Sequence, residues 1–159
     1  MSHPARRTSP RLHSFDYRQP SYYFVTVCTK GFVCRLGTIR DGFMCLSTAG
    51  SIVAATWSSL PEVEPDLHLD AWVVMPNHLH GIIALHPVAG ERAHDLSEIV
   101  GRFKAVSARE INRHAGRAGQ PFWHRSFYDH VIRDDADLAR IREYVANNPA
   151  RWTGDRFYG

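Results

Sequence analysis

His78 and His80, in the run Trp72-Val-Val-Met-Pro-Asn-His-Leu-His-Gly-Ile-Ile-Ala-Leu85, are spaced so that one metal ion can take both imidazoles. Side chains two apart on a strand leave the same face, so a strand opening with His-x-His presents both rings together. The pair alone is weak evidence, since ten histidines in 159 residues give roughly half such a pair by chance. A second set lies in Leu138-Ala-Arg-Ile-Arg-Glu-Tyr144-Val-Ala-Asn-Asn148-Pro149. Ile141, Tyr144, Val145 and Asn148 recur at helical spacing and share one face, which sets a phenol and an amide in a packed stripe. From spacing alone Tyr144 reads as a core aromatic with its hydroxyl satisfied and Asn148 as the end of a helix before proline, while their combination with a His-x-His strand points to a functional role. A third set, Arg102, Arg109 and Arg113, falls along one narrow line of a long helix. That line is either a solvated flank or a track for phosphates.

The elements that must position these groups follow from local pattern. Tyr22–Thr29 is aromatic and β-branched and reads as the first strand. Phe32–Leu36 and Gly42–Leu46 read as a hairpin around Asp41-Gly42. Ser47 or Thr48 caps a helix with apolar positions Ala49, Ile52, Val53 and Leu60, ended by Pro61 and Pro65. Leu67–Val74 and His78–Leu85 are two strands joined by the turn Met75-Pro76-Asn77. The second is apolar on both faces beyond the histidines, the pattern of an interior strand covered twice. After a loop over residues 86–94, Asp95 and Glu98 form a capping box for a helix reaching about His114. Gly116–Pro121 is a loop and Phe122–Arg133 alternates as a strand. Asp134 or Asp135 caps the last helix, from Ala136 to Asn148, stopped by Pro149. Without the hairpin the order is β-α-β-β-α-β, an α+β, ferredoxin-like antiparallel sheet with one helix added at the end.

The length fits one domain over residues 21–159, preceded by an arm over residues 1–20 that carries Arg6, Arg7, Arg11 and Arg18. The arm reads as a solvated tail or as a DNA contact. A net charge of +3, mostly from Arg, permits nucleic acid as a partner without demanding it. There is no membrane-length apolar run and no apolar signal-peptide core, so a cytoplasmic protein with no membrane partner is expected. Cys28, Cys34 and Cys45 contain no Cys-x-x-Cys pair and read as buried thiols in strands, with Cys34 and Cys45 facing each other across the hairpin.

Met75-Pro-Asn-His78-Leu-His80 resembles the histidine–hydrophobic–histidine motif of the single-tyrosine transposases of the IS200-like family. Trp123-His-Arg-Ser-Phe-Tyr-Asp-His130-Val-Ile-Arg133, Tyr144-Val-Ala-Asn-Asn148-Pro149 and Arg102-Phe-Lys104 resemble the branch associated with repetitive extragenic palindromes. The likeness runs in order from about Tyr17 to Trp152. It implies a ferredoxin-like fold and a DNA transposase that cleaves and rejoins single-stranded DNA through a 5′-phosphotyrosine. By position, Tyr144 is the implied nucleophile and His78, His80 and Asn148 the ligands of a divalent ion, Mg²⁺ or Mn²⁺. Insertion-sequence members usually carry Gln where Asn148 stands. Arg102, Lys104, Arg109, Arg113, Arg125 and His130 are the expected DNA contacts. Hairpin or palindromic forms are candidates for the DNA, and both a homodimer with exchanged tyrosine helices and a monomer are compatible with the sequence. Two other readings stay open: a metal-dependent nuclease that activates water, and a non-catalytic nucleic-acid-binding protein on the same fold.

Overall fold

The computed structural model of the chain describes residues 21–86 and 95–158. The basic arm expected over 1–20 lies outside the described residues. Among the described residues the strands and α-helices are β1 Ser21–Cys28, β2 Gly37–Arg40, β3 Phe43–Leu46, α1 Thr48–Ser58, α2 Leu60–Val63, β4 Leu67–Met75, β5 His78–Leu85, α3 Leu96–Ala115, β6 Tyr128–Ile132 and α4 Asp135–Asn147. A 3₁₀ turn, Pro149–Gly154, follows α4 directly. The main sheet runs β4-β5-β1-β6 with every pairing antiparallel, the order of the ferredoxin-like arrangement once the β2–β3 hairpin is set aside.

β5 decides the architecture because it is buried over His78–Ala84. Its odd residues, Leu79 and Ile83, pack with Val25, Val27, Trp57, Phe103 and Ile111 under α1 and α3. Gly81 lies on that face beneath Trp57, where a Cβ would sit 2.3 Å from the indole ring, so only glycine lets α1 close on the sheet. The even residues face the other way. Ile82 packs with Ile132, Leu138, Ile141 and Val145, so α4 covers the face from which both histidines project. Arg142 of α4 donates 2.9 and 2.6 Å bonds to Asp70, which sits where the β4–β5 register shifts, and this fastens the helix to the sheet edge. The capping signals act as expected. Ser47 Oγ accepts from Gly50 N–H, Asp95 and Glu98 form the capping box, and Asp134 accepts from Asp137 N–H.

Four expectations are corrected. Phe32–Leu36 is not a strand: the hairpin pairs Gly37–Arg40 with Phe43–Leu46, because Asp41 and Gly42 both take positive φ (51° and 79°) and make a two-residue loop that fixes the register. Cys34 therefore lies outside the hairpin, Cys45 faces Thr38, and both are exposed; Cys28 alone is a buried strand thiol. Pro61 does not end a helix but sits in the first turn of α2, where its missing N–H is not needed. The strand expected over Phe122–Arg133 shrinks to Tyr128–Ile132, since Phe122 and Trp123 turn into the core and Trp123 makes only a single bridge to Thr29.

Candidate active site

The turn before β5 aims the first histidine. Asn77 is fully buried, and its Nδ2 donates to the carbonyls of Phe32 (3.1 Å) and Phe157 (2.6 Å). That leaves Asn77 Oδ1 to accept, 2.7 Å from His78 Nδ1, so Nδ1 carries the proton and His78 Nε2 presents a lone pair. His80 Nδ1 lies 2.7 Å from Thr26 Oγ1 on β1, directly across the register. A rotatable hydroxyl serves either imidazole tautomer. Both Nε2 atoms can therefore turn lone pairs to one point, and they stand 3.1 Å apart. Two ligands about 2.1 Å from one ion span roughly 2.9 to 3.4 Å at octahedral-cis to tetrahedral angles, so this spacing fits a shared cation. Burial pushes His78 down to about 3, against a smaller opposite effect of the Asn148 side chain, and burial likewise carries His80 well below its ordinary value. Both are neutral at physiological pH, the form that ligates metal.

The end of α4 brings oxygen to the same place. Asn148 is buried at the helix terminus, its side chain lies against His78, and its Oδ1 has no well-formed hydrogen bond from a donor. The chain then doubles back through the 3₁₀ turn, and Phe157 lies over the histidines, 4.8 Å from His78 and 6.2 Å from His80 between ring centroids. Asp155, from the same return segment, joins His78 and His80 in a group whose ligand atoms all lie within 4.8 Å of one another. Its Oδ2 is 3.8 Å from His78 Nε2. This is proximity rather than an ion pair, because the imidazole is neutral. Burial raises the Asp155 carboxyl above its usual range.

Tyr144 extends over this cluster from the same chain. Its ring meets His80 at 5.4 Å and the edge of Phe24 at 6.1 Å, while the residue stays 37% exposed. It therefore borders the apolar stripe of α4 rather than filling the core, and opens onto a cavity of about 350 Å³ lined also by Tyr128, His130, Arg140 and Arg156. Sequence reasoning brought together His78, His80, Tyr144 and Asn148. It did not find Thr26, Asn77, Asp155, Arg140 or Arg156. Asn77 was visible as a turn residue beside the motif, whereas nothing local distinguished Asp155 or Thr26.

The expected DNA-contacting residues separate. α3 lies on the sheet face opposite Tyr144, and so do its arginines. Arg102 forms an ion pair with the buried Glu64. Lys104 donates to the His124 carbonyl at 2.6 Å and is half-buried, with burial lowering its ammonium. Arg113 is held by Glu110 at 2.5 Å. Among the described residues Arg109 forms no ion pair, and it borders a second cavity with Asn112, Arg113 and Gln120. Arg125 is exposed. His130 lines the Tyr144 cavity but bonds Asp137 at 2.7 Å.

Comparison with known proteins gives three kinds of likeness. A family described as "Transposase IS200 like" matches residues 62–148, more than half of the chain and all four of the converging residues. An uncharacterised Haemophilus influenzae protein is 36% identical, the alignment covering 96% of this chain and 93% of that one. A second Haemophilus influenzae protein, provisionally named a REP-associated tyrosine transposase, is 27% identical over about half of each chain (49% and 47%). A solved structure of a REP-associated tyrosine transposase bound to a REP hairpin superposes with a TM-score of 0.63 at 21% identity. It covers 91% of this chain and 74% of that one, a likeness of fold.

Proposed function

The chain belongs to the IS200-like transposase family, and from that premise we propose that it cleaves and rejoins single-stranded DNA through a covalent bond to Tyr144. The observation that carries the reading is the meeting, within one chain, of Tyr144 with the buried His78–His80 pair across one sheet face. In this scheme the Tyr144 oxygen attacks phosphorus and the phenolic proton passes to solvent at the open side of the cavity. The P–O3′ bond breaks, leaving a 5′-phosphotyrosine and a free 3′-hydroxyl. Attack by another 3′-hydroxyl reverses the step, so no external energy source is needed.

His78, His80 and Asn148 would hold a divalent ion, Mg²⁺ or Mn²⁺, which when bound supplies positive charge against the charge gathering on the phosphoryl oxygens. The protein's part is to keep both imidazoles neutral by burial, to fix the His78 tautomer through Asn77, and to hold Tyr144 at the rim. Arg140 and Arg156 line the same cavity and would meet the phosphate; Phe24 and Tyr128 offer faces on which a flanking base can stack. Arg109 and Arg125, which hold no ion pair among the described residues, are the expected contacts we assign to more distant phosphates, while Arg102, Lys104 and Arg113 are engaged with Glu64, the His124 carbonyl and Glu110. The structural neighbour holds a REP hairpin, and hairpin-forming single strands are the substrate class we assign here. Because Tyr144 reaches the histidines of its own chain, a monomer contains every proposed catalytic group.

The test uses single-stranded hairpin DNA labelled at either end, incubated with the protein and Mn²⁺ or Mg²⁺. An SDS-resistant adduct that retains the 3′ label, and that is lost in Tyr144→Phe with DNA binding nearly unchanged, is the expected result. An adduct formed equally by Tyr144→Phe overturns the assignment. Cleavage without an adduct favours a water-using nuclease, and binding alone favours a non-catalytic role.

A further inference from the structure

The return segment after α4 does more than cover the histidines. Asp155 is anchored through one carboxylate oxygen: Oδ1 accepts from Phe157 N–H at 2.8 Å, while the Asp155 backbone N–H donates to the Trp152 carbonyl at 3.0 Å. The other oxygen, Oδ2, turns inward. The side chain is 1% exposed, and Oδ2 is buried without a hydrogen-bond donor. Around it stand the Nε2 atoms of His78 and His80, and Asn148, whose buried side chain also carries an oxygen without a donor, lies against His78.

Three ligand atoms thus lie within 4.8 Å of one another with Asn148 beside them, and one shared imidazole proton between the two Nε2 atoms is the only hydrogen their contact can hold. Buried acceptors are costly when left without a donor, and a buried carboxylate oxygen more so. A cation bound among them satisfies these acceptors at once. Two neutral imidazoles, an amide oxygen and one carboxylate form a mixed nitrogen–oxygen set suited to a divalent ion such as Mn²⁺.

We propose that Asp155 is a fourth protein ligand of the divalent ion, so that metal binding and docking of the C-terminal return segment are coupled. The proposal rests on the metal reading given above and adds to it a ligand from outside α4. It also gives the return segment a task. Arg156, which lines the Tyr144 cavity, and Phe157, which shields the imidazoles, directly follow Asp155 and are drawn into place with it.

The experiment is a Mn²⁺ titration of the full chain, read from the electron paramagnetic resonance signal of free Mn²⁺, with trypsin cleavage at Arg151 and Arg156 as the second readout. Asp155→Asn keeps an oxygen to accept from Phe157 N–H while removing the anionic ligand. It should weaken Mn²⁺ binding about tenfold or more and abolish Mn²⁺ protection of the two arginines. Wild-type affinity and protection in Asp155→Asn, together with loss of binding in His78→Ala, overturn the role of Asp155 and leave the histidine site standing. Unchanged binding in both variants overturns the metal reading itself. If Asp155→Asn does not fold, the wild-type chain answers alone: equal cleavage at Arg156 with and without saturating Mn²⁺ refutes the coupling.

Discussion

Replacing Asn77 with aspartate exchanges one NH₂ for an oxygen with almost no change of shape, and so measures what the side-chain amide does. Asn77 Nδ2 donates to two backbone carbonyls from segments far apart in sequence, Phe32 at 3.1 Å and Phe157 at 2.6 Å. In Asn77→Asp both carbonyls face an oxygen instead. A buried acceptor that loses its donor costs roughly 1–3 kcal/mol. With the Phe32 bond only partly buried, the sum is about 2–5 kcal/mol. For a chain of this size each kcal/mol shifts Tm by roughly 2–4 °C, so a fall of about 5–20 °C is expected. Urea unfolding in EDTA at pH 8, followed by tryptophan fluorescence, gives the free energy directly, and the m value should be unchanged because the same surface is exposed. A midpoint equal to wild type would refute the reasoning: the return segment would then be docked by its aromatic contacts, and Asn77 would not be the hinge between that segment and His78.

Two further outcomes follow from the same geometry. His78 titrates at about 3 in the folded protein against 6.5 when exposed, with His80 also depressed; below pH 6.5 the unfolded chain binds protons that the native chain does not. The stability this holds is complete above pH 6.5 and is lost as pH falls, for His78 at up to about 1.4 kcal/mol per pH unit down to about 3, and in the same direction for His80. Metal-free urea unfolding between pH 6.5 and 5 should show this slope reduced in a His78→Gln/His80→Gln variant, and identical slopes would contradict the burial argument. The α3 arginines should also divide by role. Arg102→Ala removes the guanidinium beside buried Glu64 and should cost about 1–3 kcal/mol, discounted because the arginine is half-exposed, with little change in the salt dependence of DNA binding. Arg109→Ala should leave stability unchanged and lower the magnitude of the salt slope by roughly 0.7–0.9; the reverse pattern would return Arg102 to the DNA.

The residues converging in this site were legible in the sequence to very different degrees. Alternation marked β5 as a core strand and put His78 and His80 on one side of it, because the strand period is two and depends on nothing distant. Helical spacing did the same for Ile141, Tyr144 and Val145, and the caps Ser47, Asp95 with Glu98, and Asp134 were written within three or four residues of the N–H groups they serve. The order of strands and helices, and with it the antiparallel ferredoxin-like sheet, followed from those local signals. Hairpin register did not, since it turned on the backbone angles of Asp41 and Gly42 rather than on apolar pattern.

What tertiary structure alone decided was pairing between residues far apart in the chain. Arg102 looked like its neighbours Arg109 and Arg113 along one helix flank. It differs because Glu64, thirty-eight residues earlier, is buried against it. Thr26 meets His80 across fifty-four residues, and Asn77 meets Phe157 across eighty. Periodicity carries no information about such contacts, because they depend on where whole elements pack. The sequence determined that two imidazoles would leave one strand face and that a tyrosine and an asparagine would share a helix. Only the folding of α4 over that face, and the return of the chain after Pro149, decided that Tyr144 meets His80 and that Asp155 joins the two imidazoles.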